Sequence, residues 1–272
     1  MICIAGKNNI AVDVLDYALR ILDIDKSEII ALPNHDDIGG DTWQCSLRRF
    51  CCNEKIEISS IEELYGIRNL VFLSLEYNRI IKPVLFSSTQ LFNIHFSKLP
   101  KYRGVYTSAW PILNGEKETG VTLHKIDAGI DTGDIIDQIS FEIAENDTAY
   151  DLYLKYIKYG TMLAKENLKN LLNGAFTSKA QGCDGASYYG KNSINFSSLE
   201  IDFFQTAFNI RNQIKAFYFP AFQTSRYCQK SISKCEILGT KSVSRPGAIL
   251  ETGETYFIVS SLDYDVKLVF SE

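Results

Sequence analysis

The chain has 272 residues, a formal net charge of −5 and 46% hydrophobic residues. This length suits one large domain, or a main domain with a smaller appendage, and the acidic balance argues against a dedicated nucleic-acid-binding protein, which normally has a basic face. The seven cysteines form no CxxC pair, so we predict neither a disulfide framework nor a zinc site, and a reducing, cytoplasmic environment. We expect no signal peptide and, without about 18 consecutive apolar residues, no membrane span.

Short apolar runs separated by helical patterns fill the first half of the chain. The loop after the first run lacks the GxGxxG fingerprint, so dinucleotide binding has no support beyond the strand-loop-helix order. Strands alternating with helices predict an α/β fold, an open parallel sheet with helices on both faces. We predict strands over 1–5, 28–32, 55–58, 70–75, 91–95, 120–125 and 135–142, helices over 10–22 and 42–52, and a short helix opening at 60–63.

A long helix and a polar linker follow. The apolar pattern predicts a helix over 148–173, with Asp147 as its N-cap and Gly174 as its C-terminal stop. Gly160 lies inside this pattern and weakens it slightly. The stretch 181–195 is rich in Gly, Ser, Asn and Asp, which predicts a linker.

The last part of the chain is predicted to be a small β-rich appendage. One more helix is predicted over 198–214, and from about Phe222 short apolar runs alternate with Gly, Pro and Asp. A stretch of roughly 50 residues is too small to have a stable core of its own. We therefore expect it to pack on the main domain or on another subunit.

The stretch 92–136 has the strongest chemical pattern. Asn93 and His95 are two apart on a predicted strand, so their side chains share a face, and ligands gather at the carboxyl ends of such strands. An amide donor beside an imidazole suits acyl-type transfer, and Asp131, in a glycine-flanked turn, is suited to set the charge and orientation of that imidazole. A zinc site is the weaker alternative, because it needs three or four ligands and only His95, His124 and scattered acids are present.

Six short motifs follow one another across this stretch. They are Asn93-Ile94-His95, Ser97-x-Leu99-Pro100-Lys101-Tyr102-Arg103-Gly104, Trp110, Asn114-Gly115-Glu116, Gly120-Val121-Thr122-Leu123-His124 and Asp131-Thr132-Gly133-Asp134. In order and spacing they resemble the signature of the formyltransferase family, whose members use N10-formyltetrahydrofolate. The resemblance implies the formyltransferase fold, with a Rossmann-like doubly wound catalytic domain over 1–180. The linker, helix and β-rich region over 181–272 would then contact the nucleotide and form a dimer.

The resemblance also implies the roles of individual residues. Asn93, His95 and Asp131 correspond to the catalytic trio of the family. An uncharged amine would attack the formyl carbon directly, with Asn93 and protonated His95 stabilising the oxyanion and Asp131 keeping His95 charged. No metal and no covalent enzyme intermediate is implied, and His124 is expected to shape the pocket. The folate would be bound by Asp127, Ala128, Gly129, Ile130 and Asp134.

The family acts on several amines, and the flanking loops favour a nucleotide-linked amino sugar here. The loop 103–110, the segment from 188 to 222 and the loops after the first two strands resemble those of bacterial dTDP-amino-dideoxyhexose N-formyltransferases. Arg103 is either a substrate contact or a solvated loop charge, and about half of the C-terminal aromatics are expected to be core packing. The predicted substrate-binding residues are Lys7, Asn9, Trp43, Gln44, Tyr77, Asn78, Arg103, Tyr218, Phe219 and Phe222.

The expected activity is formyl transfer to a dTDP-linked 3-amino- or 4-amino-dideoxyhexose for a bacterial surface glycan. We expect small-molecule substrates, no nucleic acid or membrane partner, and a homodimer. Alternatives are a methionyl-tRNA formyltransferase-like activity and formyltetrahydrofolate hydrolysis. The sequence leaves open the C3 or C4 amine, the gluco or galacto configuration and the choice between dTDP and UDP.

Overall fold

The structure is a computed structural model that describes residues 1–220 and 222–271. It contains two compact units, which alternate along the chain. The first comprises Met1–Gly104, Gly120–Phe141 and Lys155–Tyr188, and the second comprises Val105–Thr119, Glu142–Leu154 and Tyr189–Glu272. The domain boundary predicted at residue 180 stays a prediction.

A seven-stranded, mainly parallel sheet forms the centre of the first unit, which confirms the predicted α/β class. Its order is β3-β2-β1-β4-β5-β7-β8, with parallel pairing from β3 to β5 and antiparallel pairing between β5 and β7. The three strands β1, β2 and β4 are wholly buried, as continuous apolar runs predict. The seven strands of this sheet are β1 (Ile2–Gly6), β2 (Ile29–Pro33), β3 (Glu57–Ile58), β4 (Val71–Leu75), β5 (Leu91–His95), β7 (Glu118–Lys125) and β8 (Ile135–Glu142), and β6 (Arg103–Gly104) lies outside it.

The first unit contains three helices before the long helix, and the second and third of them begin at side-chain caps. The three helices are α1 (Asn8–Arg20), α2 (Leu47–Glu54) and α3 (Ile61–Leu64), which has a Ser60/Glu63 capping box. The helix predicted over 42–52 begins five residues later than expected, because the Ser46 hydroxyl accepts the Arg49 N–H and caps α2 there. The segment before Ser46 is a loop.

The long helix α5 (Ala149–Leu172) runs from the second unit into the first. The prediction of Asp147 as its N-cap is wrong. Thr148 and Asp151 exchange hydrogen bonds at the helix start, whereas the Asp147 carboxylate accepts the Ala144 N–H. Gly174 follows with φ +65°, which confirms the predicted stop. The helix is continuous through Gly160, where a Cβ would lie only 3.0 Å from Ile10 of α1 and 3.3 Å from Ile94 of β5, so glycine permits close packing on both.

The second unit combines short helices with an antiparallel sheet of order β10-β11-β14-β13-β12. The helix predicted over 198–214 begins only at Ala207, because the Thr206 hydroxyl accepts the Asn209 N–H and caps it there. The elements are α4 (Trp110–Leu113), α6 (Ala207–Ala216), β9 (Tyr188–Tyr189, whose first residue belongs to the first unit), β10 (Ser225–Tyr227), β11 (Lys230–Lys241), β12 (Ile249–Thr252), β13 (Tyr256–Val259) and β14 (Tyr264–Phe270).

Helix α6 covers the apolar face of the C-terminal sheet. Ile210 and Ile214 are fully buried in one cluster with Val259, Val266 and Leu268 of the sheet. The β-rich region therefore shares a core with a helix of its own unit, which supplies the apolar partner that the strands alone lack.

Candidate active site

Asn93 and His95 lie at the carboxyl end of β5, in the middle of the main sheet. The strand has parallel β4 on one side and antiparallel β7 on the other, so its backbone is fixed from both sides. Asn93 is half-buried and the His95 side chain is 8% exposed. The sheet therefore places an amide and an imidazole on one face at the edge where ligands bind in such folds.

Asp131 brings a carboxylate to both histidines. Its Oδ2 lies 3.5 Å from His95 Nδ1 and accepts the Gly104 N–H at 2.9 Å, while its Oδ1 lies 3.6 Å from His124 Nε2. Burial raises the pKa of the Asp131 carboxyl, but several contacts outweigh burial and hold that pKa well below its usual range. These contacts are the charge of His95, the hydrogen bonding and charge of His124, and the Gly104 N–H. Asp131 is thus an anion at neutral pH.

Both ring nitrogens of His95 face oxygen atoms. Nε2 donates to the carbonyl oxygen of Tyr102 at 2.8 Å, and Nδ1 points to Asp131 at 3.5 Å. Only the doubly protonated ring can donate at both nitrogens. The 3.5 Å separation is long for a direct hydrogen bond, so an Nδ1–H is not committed to the carboxylate and can donate to a reacting group beside it.

His124 contacts the amide of Asn93 across the β5–β7 pair, where the two residues are in register. Its Nδ1 donates to the carbonyl oxygen of Lys125 at 2.7 Å, and its Nε2 lies 3.1 Å from Asn93 Nδ2. In the neutral ring Nε2 accepts the Asn93 N–H and fixes that amide; in the charged ring Nε2–H points to Asp131 instead. The sequence predicted only a pocket-shaping role for His124, because its contact depends on the strand register.

The turn that carries Asp131 has a strained backbone held by a distant residue. Asp131 has φ +54°, a left-handed conformation that non-glycine residues seldom adopt, and a Cβ on Gly133 would overlap the Lys125 carbonyl. Gln181 Nε2 donates to the carbonyl oxygens of Asp131 and Gly133 at 2.8 and 2.7 Å. Gln181 lies in the predicted linker, and nothing in the sequence signals this role.

Arg103, predicted to bind substrate, supports the same turn. Its Nε and Nη2 donate to Gln181 Oε1 at 3.1 and 2.7 Å, so it is not merely a solvated charge. Its backbone N–H donates to the Ser187 carbonyl. Any contact of Arg103 with substrate stays a prediction.

Comparison with known proteins identifies the family to which these motifs belong. Residues 54–165 match the family model described as formyl transferase. The N-formyltransferase of Helicobacter canadensis, crystallised with folinic acid and dTDP-3-aminofucose, is 42% identical, with 99% of both chains covered and a TM-score of 0.92. The chain belongs to the formyltransferase family. WlaRD, a sugar 3N-formyltransferase crystallised with dTDP and 5-N-formyl-THF, is 43% identical over 99% of this chain and 97% of that chain, with a TM-score of 0.91.

A curated relative with another substrate is less completely matched. The methionyl-tRNA formyltransferase of Fervidobacterium nodosum is 36% identical over 163 residues, which are 60% of this chain. The chain spans only 51% of that relative's length. The matched family model and the full-length similarity together show the formyltransferase fold. The relatives named here differ in the acceptor of the formyl group.

The residues predicted to bind folate form an exposed turn after β7. Asp127 Oδ1 accepts the Gly129 N–H at 3.1 Å and the Thr132 hydroxyl at 2.7 Å, which fixes the turn from within. Ala128 and Ile130 are exposed in the same turn. Asp134 lies at the start of β8, with Oδ2 3.1 Å from the Ser178 hydroxyl and 3.4 Å from Lys125 Nζ. A fixed turn with accessible main chain fits recognition of a ring by backbone groups.

The predicted substrate residues of the first two loops hold those loops together. The Asn9 N–H donates to Gln44 Oε1 at 3.0 Å, and Asn9 Oδ1 accepts the Cys45 N–H at 2.8 Å. Lys7 is half-buried at the start of α1, and Trp43 is 40% exposed beside Gln44. These contacts connect the loops after β1 and β2 in one surface of the first unit.

The sequence did not single out Asn34, whose buried side-chain amide connects the end of β2 with the loop after β4. Asn34 directly follows β2, donates to the Glu76 carbonyl at 3.0 Å and accepts the Asn78 N–H at 3.2 Å. Asn78 was predicted to bind substrate, and its neighbour Tyr77 packs edge-on against Phe72. An asparagine at the end of a buried strand was the available signal for Asn34.

The three predicted aromatic contacts of the second unit differ in exposure. Phe219 is buried against Tyr150 and Tyr153, which supports core packing for this ring. Phe222 is 70% exposed with its ring 5.2 Å from that of Phe219. Tyr218 is half-buried and accepts the Tyr150 N–H through its carbonyl oxygen. Phe222 therefore has the most ring surface available for a ligand.

Proposed function

We propose that the chain transfers the formyl group of N10-formyltetrahydrofolate to the amine of a dTDP-linked amino-dideoxyhexose, with a 3-amino sugar as the acceptor. The observation that carries the proposal is the contact of Asp131 with His95 and His124, the latter contacting Asn93, in a chain that matches two sugar N-formyltransferases over nearly its whole length. One of those proteins was crystallised with dTDP-3-aminofucose and the other is described as a sugar 3N-formyltransferase. Both names support a C3 amine.

In the proposed reaction, the site stabilises charge that develops on the formyl oxygen. As the neutral amine nitrogen bonds to the formyl carbon, the second N–H of Asn93 and the Nδ1–H of His95 donate to that oxygen. The bond between the carbon and N10 then breaks, and the amine loses a proton. Asp131, which is ionised, compensates the charge of His95 and accepts or relays that proton towards N10.

The fixed turn 127–130 and Asp134 are proposed to hold the folate. The exposed backbone of this turn suits the donor and acceptor edge of a pterin, and the two crystallised relatives contain folate derivatives. Among the described residues, no three His, Cys, Asp or Glu side chains group as a metal site. The proposed chemistry uses side-chain donors and one carboxylate.

The predicted acceptor loops and Phe222 are proposed to bind the nucleotide sugar. An exposed aromatic ring suits stacking on a base, and the loops that contain Lys7, Trp43 and Asn78 offer polar and aromatic contacts. No helix among residues 1–220 and 222–271 is long and apolar enough to cross a membrane. We further propose a cytoplasmic homodimer that supplies a formylated sugar for a bacterial surface glycan.

The proposal is tested by turnover with a panel of acceptors. dTDP- and UDP-linked 3-amino and 4-amino sugars and methionyl-tRNA are each incubated with N10-formyltetrahydrofolate, and formylated product and formate are measured. We expect the fastest turnover with a dTDP-linked 3-amino sugar. Faster formylation of methionyl-tRNA, or formate release that is indifferent to sugar, would contradict the proposal.

A further inference from the structure

A small pocket lies within the second unit between α4 and α6, and we call it the α4–α6 pocket. One face of α6 lines it with three polar side chains, Arg211, Asn212 and Lys215. Arg211 and Asn212 lie four and three residues before Lys215, which is the spacing of neighbours on a helix face. Lys117, in the loop after α4, and Glu145, after β8, line the other side. None of these residues belongs to the site at His95.

Two hydrogen-bond donors of this pocket have no acceptor in the part of the chain that the structure describes. Asn212 is 3% exposed, and its Nδ2 has no hydrogen-bond partner among the residues that the structure describes; the same holds for Arg211 Nε. Buried donors are nearly always paired in folded proteins, because an unpaired one loses its hydrogen bond to water. Both orphan atoms are donors, so the missing partner is an acceptor.

The charge of the pocket favours an anion as that acceptor. Lys117, Arg211 and Lys215 converge here, and burial together with the charges of Arg211 and Lys117 lowers the pKa of Lys215. Lys215 Nζ donates to the Glu145 carbonyl oxygen at 2.7 Å, which fixes the ammonium at the pocket. A bound anion would relieve the repulsion between these cations.

Three carboxylates near the pocket offset part of that positive charge. Glu145 Oε1 lies 3.2 Å from Arg211 Nη1, but its side chain is 72% exposed, and such exposed pairs contribute little. Asp147 acts on Lys215 and accepts the Ala144 N–H at 2.7 Å, so its Oδ2 is already engaged. Glu116 also lines the pocket. An anion that displaces the exposed Glu145 carboxylate would gain the two orphan donors, which Glu145 does not reach.

We propose that the α4–α6 pocket binds a phosphate-class oxyanion, held by Arg211 and Asn212, with Lys117 and Lys215 supplying positive charge. A tetrahedral oxyanion offers several acceptor oxygens at once and matches the fork geometry of a guanidinium. Free phosphate and the terminal phosphate of a nucleotide share this chemistry. The inference is independent of the proposed formyl transfer.

Opposite effects of two substitutions test the inference. Binding of inorganic phosphate is measured by calorimetry in chloride buffer at constant ionic strength. We expect Arg211→Gln to weaken phosphate binding at least about 10-fold, because the charged donors are lost, and Glu145→Gln to strengthen it about 3-fold by removing the competing carboxylate. Arg20→Gln is the matched control, since Arg20 on α1 pairs with Asp16 of α1 and Glu54 of α2, and we expect less than about a 2-fold change.

A neutral substitution and a competitor complete the test. Asn212→Leu removes one orphan donor without changing charge, and we expect about 3-fold weaker phosphate binding with an unfolding temperature that is not lowered. If dTDP displaces phosphate from the wild type but much less effectively from Arg211→Gln, the phosphate group comes from a nucleotide; if dTDP does not displace it, free phosphate is the ligand. Equal phosphate affinity of Arg211→Gln and Arg20→Gln, weaker binding by Glu145→Gln, or no binding by the wild type would overturn the inference.

Discussion

The site at His95 and the α4–α6 pocket differ in whether their buried polar groups have protein partners. Asn93, His95, His124 and Asp131 have partners within 2.8 to 3.6 Å, and the turn of Asp131 is itself fixed by Gln181. In the α4–α6 pocket, Arg211 Nε and Asn212 Nδ2 have none among the described residues. Side chains that are already fixed by protein contacts need little reorganisation for chemistry, whereas donors without partners suit a ligand.

The largest expected effect on activity comes from replacing Asp131. Asp131→Asn removes the charge beside His95 but keeps the size of the side chain, and we expect at least about a 100-fold loss of kcat. His95→Asn should cost a similar factor. Asp137→Asn is the control, because Asp137 is exposed and its carboxylate accepts from the Asn167 side chain and the Gln138 N–H. Steady-state rates of Asp131→Asn and Asp137→Asn that agree within a factor of three would break the account of the site.

His124 should have the next largest effect, through Asn93. His124→Ala leaves the Asn93 amide without the acceptor at 3.1 Å, and we expect about a 10-fold loss of kcat with little change in KM for the sugar. His124→Gln retains an acceptor oxygen and should recover part of that loss. The comparison of kcat and KM separates positioning from binding, and unchanged kcat in His124→Ala would show that Asn93 is held without His124.

Gln181 should have a smaller effect, because it acts on the backbone of the turn. Gln181→Ala removes donors to the Asp131 and Gly133 carbonyls, and we expect a 3- to 10-fold loss of kcat/KM, roughly one lost hydrogen bond. Gln213→Ala is the matched control, since that glutamine also donates to a carbonyl, in the second unit. Equal losses in the two variants would exclude a specific role for Gln181.

The smallest expected effect is the pH dependence of stability. The folded-state pKa of Asp131 lies below its unfolded value of about 3.9, so its contribution is complete above that value and is lost as pH falls through the folded pKa. As pH falls below about 4, the difference in free energy of unfolding between wild type and Asp131→Asn should change in favour of the variant. Denaturant titrations at several pH values below 5 measure it; a difference that stays constant below pH 4 would contradict the depressed pKa.

The sequence predicted those parts of the fold that depend on local pattern. The strands over 91–95 and 135–142 have the predicted bounds, because each is bounded by a polar turn. The helix expected over 198–214 begins at Ala207 instead, because the Thr206 cap decides its start and the residues before it only appeared periodic. Asp147 was mistaken for a cap because the adjacent Thr148 has the same ability.

The motifs also predicted which residues would meet at the site, but not how they are held. Asn93 and His95 share a face because of the two-residue period of a strand, and Asp131 lies 3.5 Å from His95. The contact of His124 with Asn93 follows from the β5–β7 register, and that of Gln181 with the turn follows from the path of a linker. Neither can be read from residue spacing, since both are tertiary contacts.

The most direct test of the central claim follows the formyl carbon itself. N10-formyltetrahydrofolate with an isotopically labelled formyl carbon is incubated with the protein and a dTDP-linked 3-amino-dideoxyhexose, and the label is traced by NMR. We predict that it appears in the amide of the sugar, at a rate that Asp131→Asn lowers at least about 100-fold and Asp137→Asn does not. Label recovered only as formate, or transfer to the sugar that is unaffected by Asp131→Asn, would contradict the account.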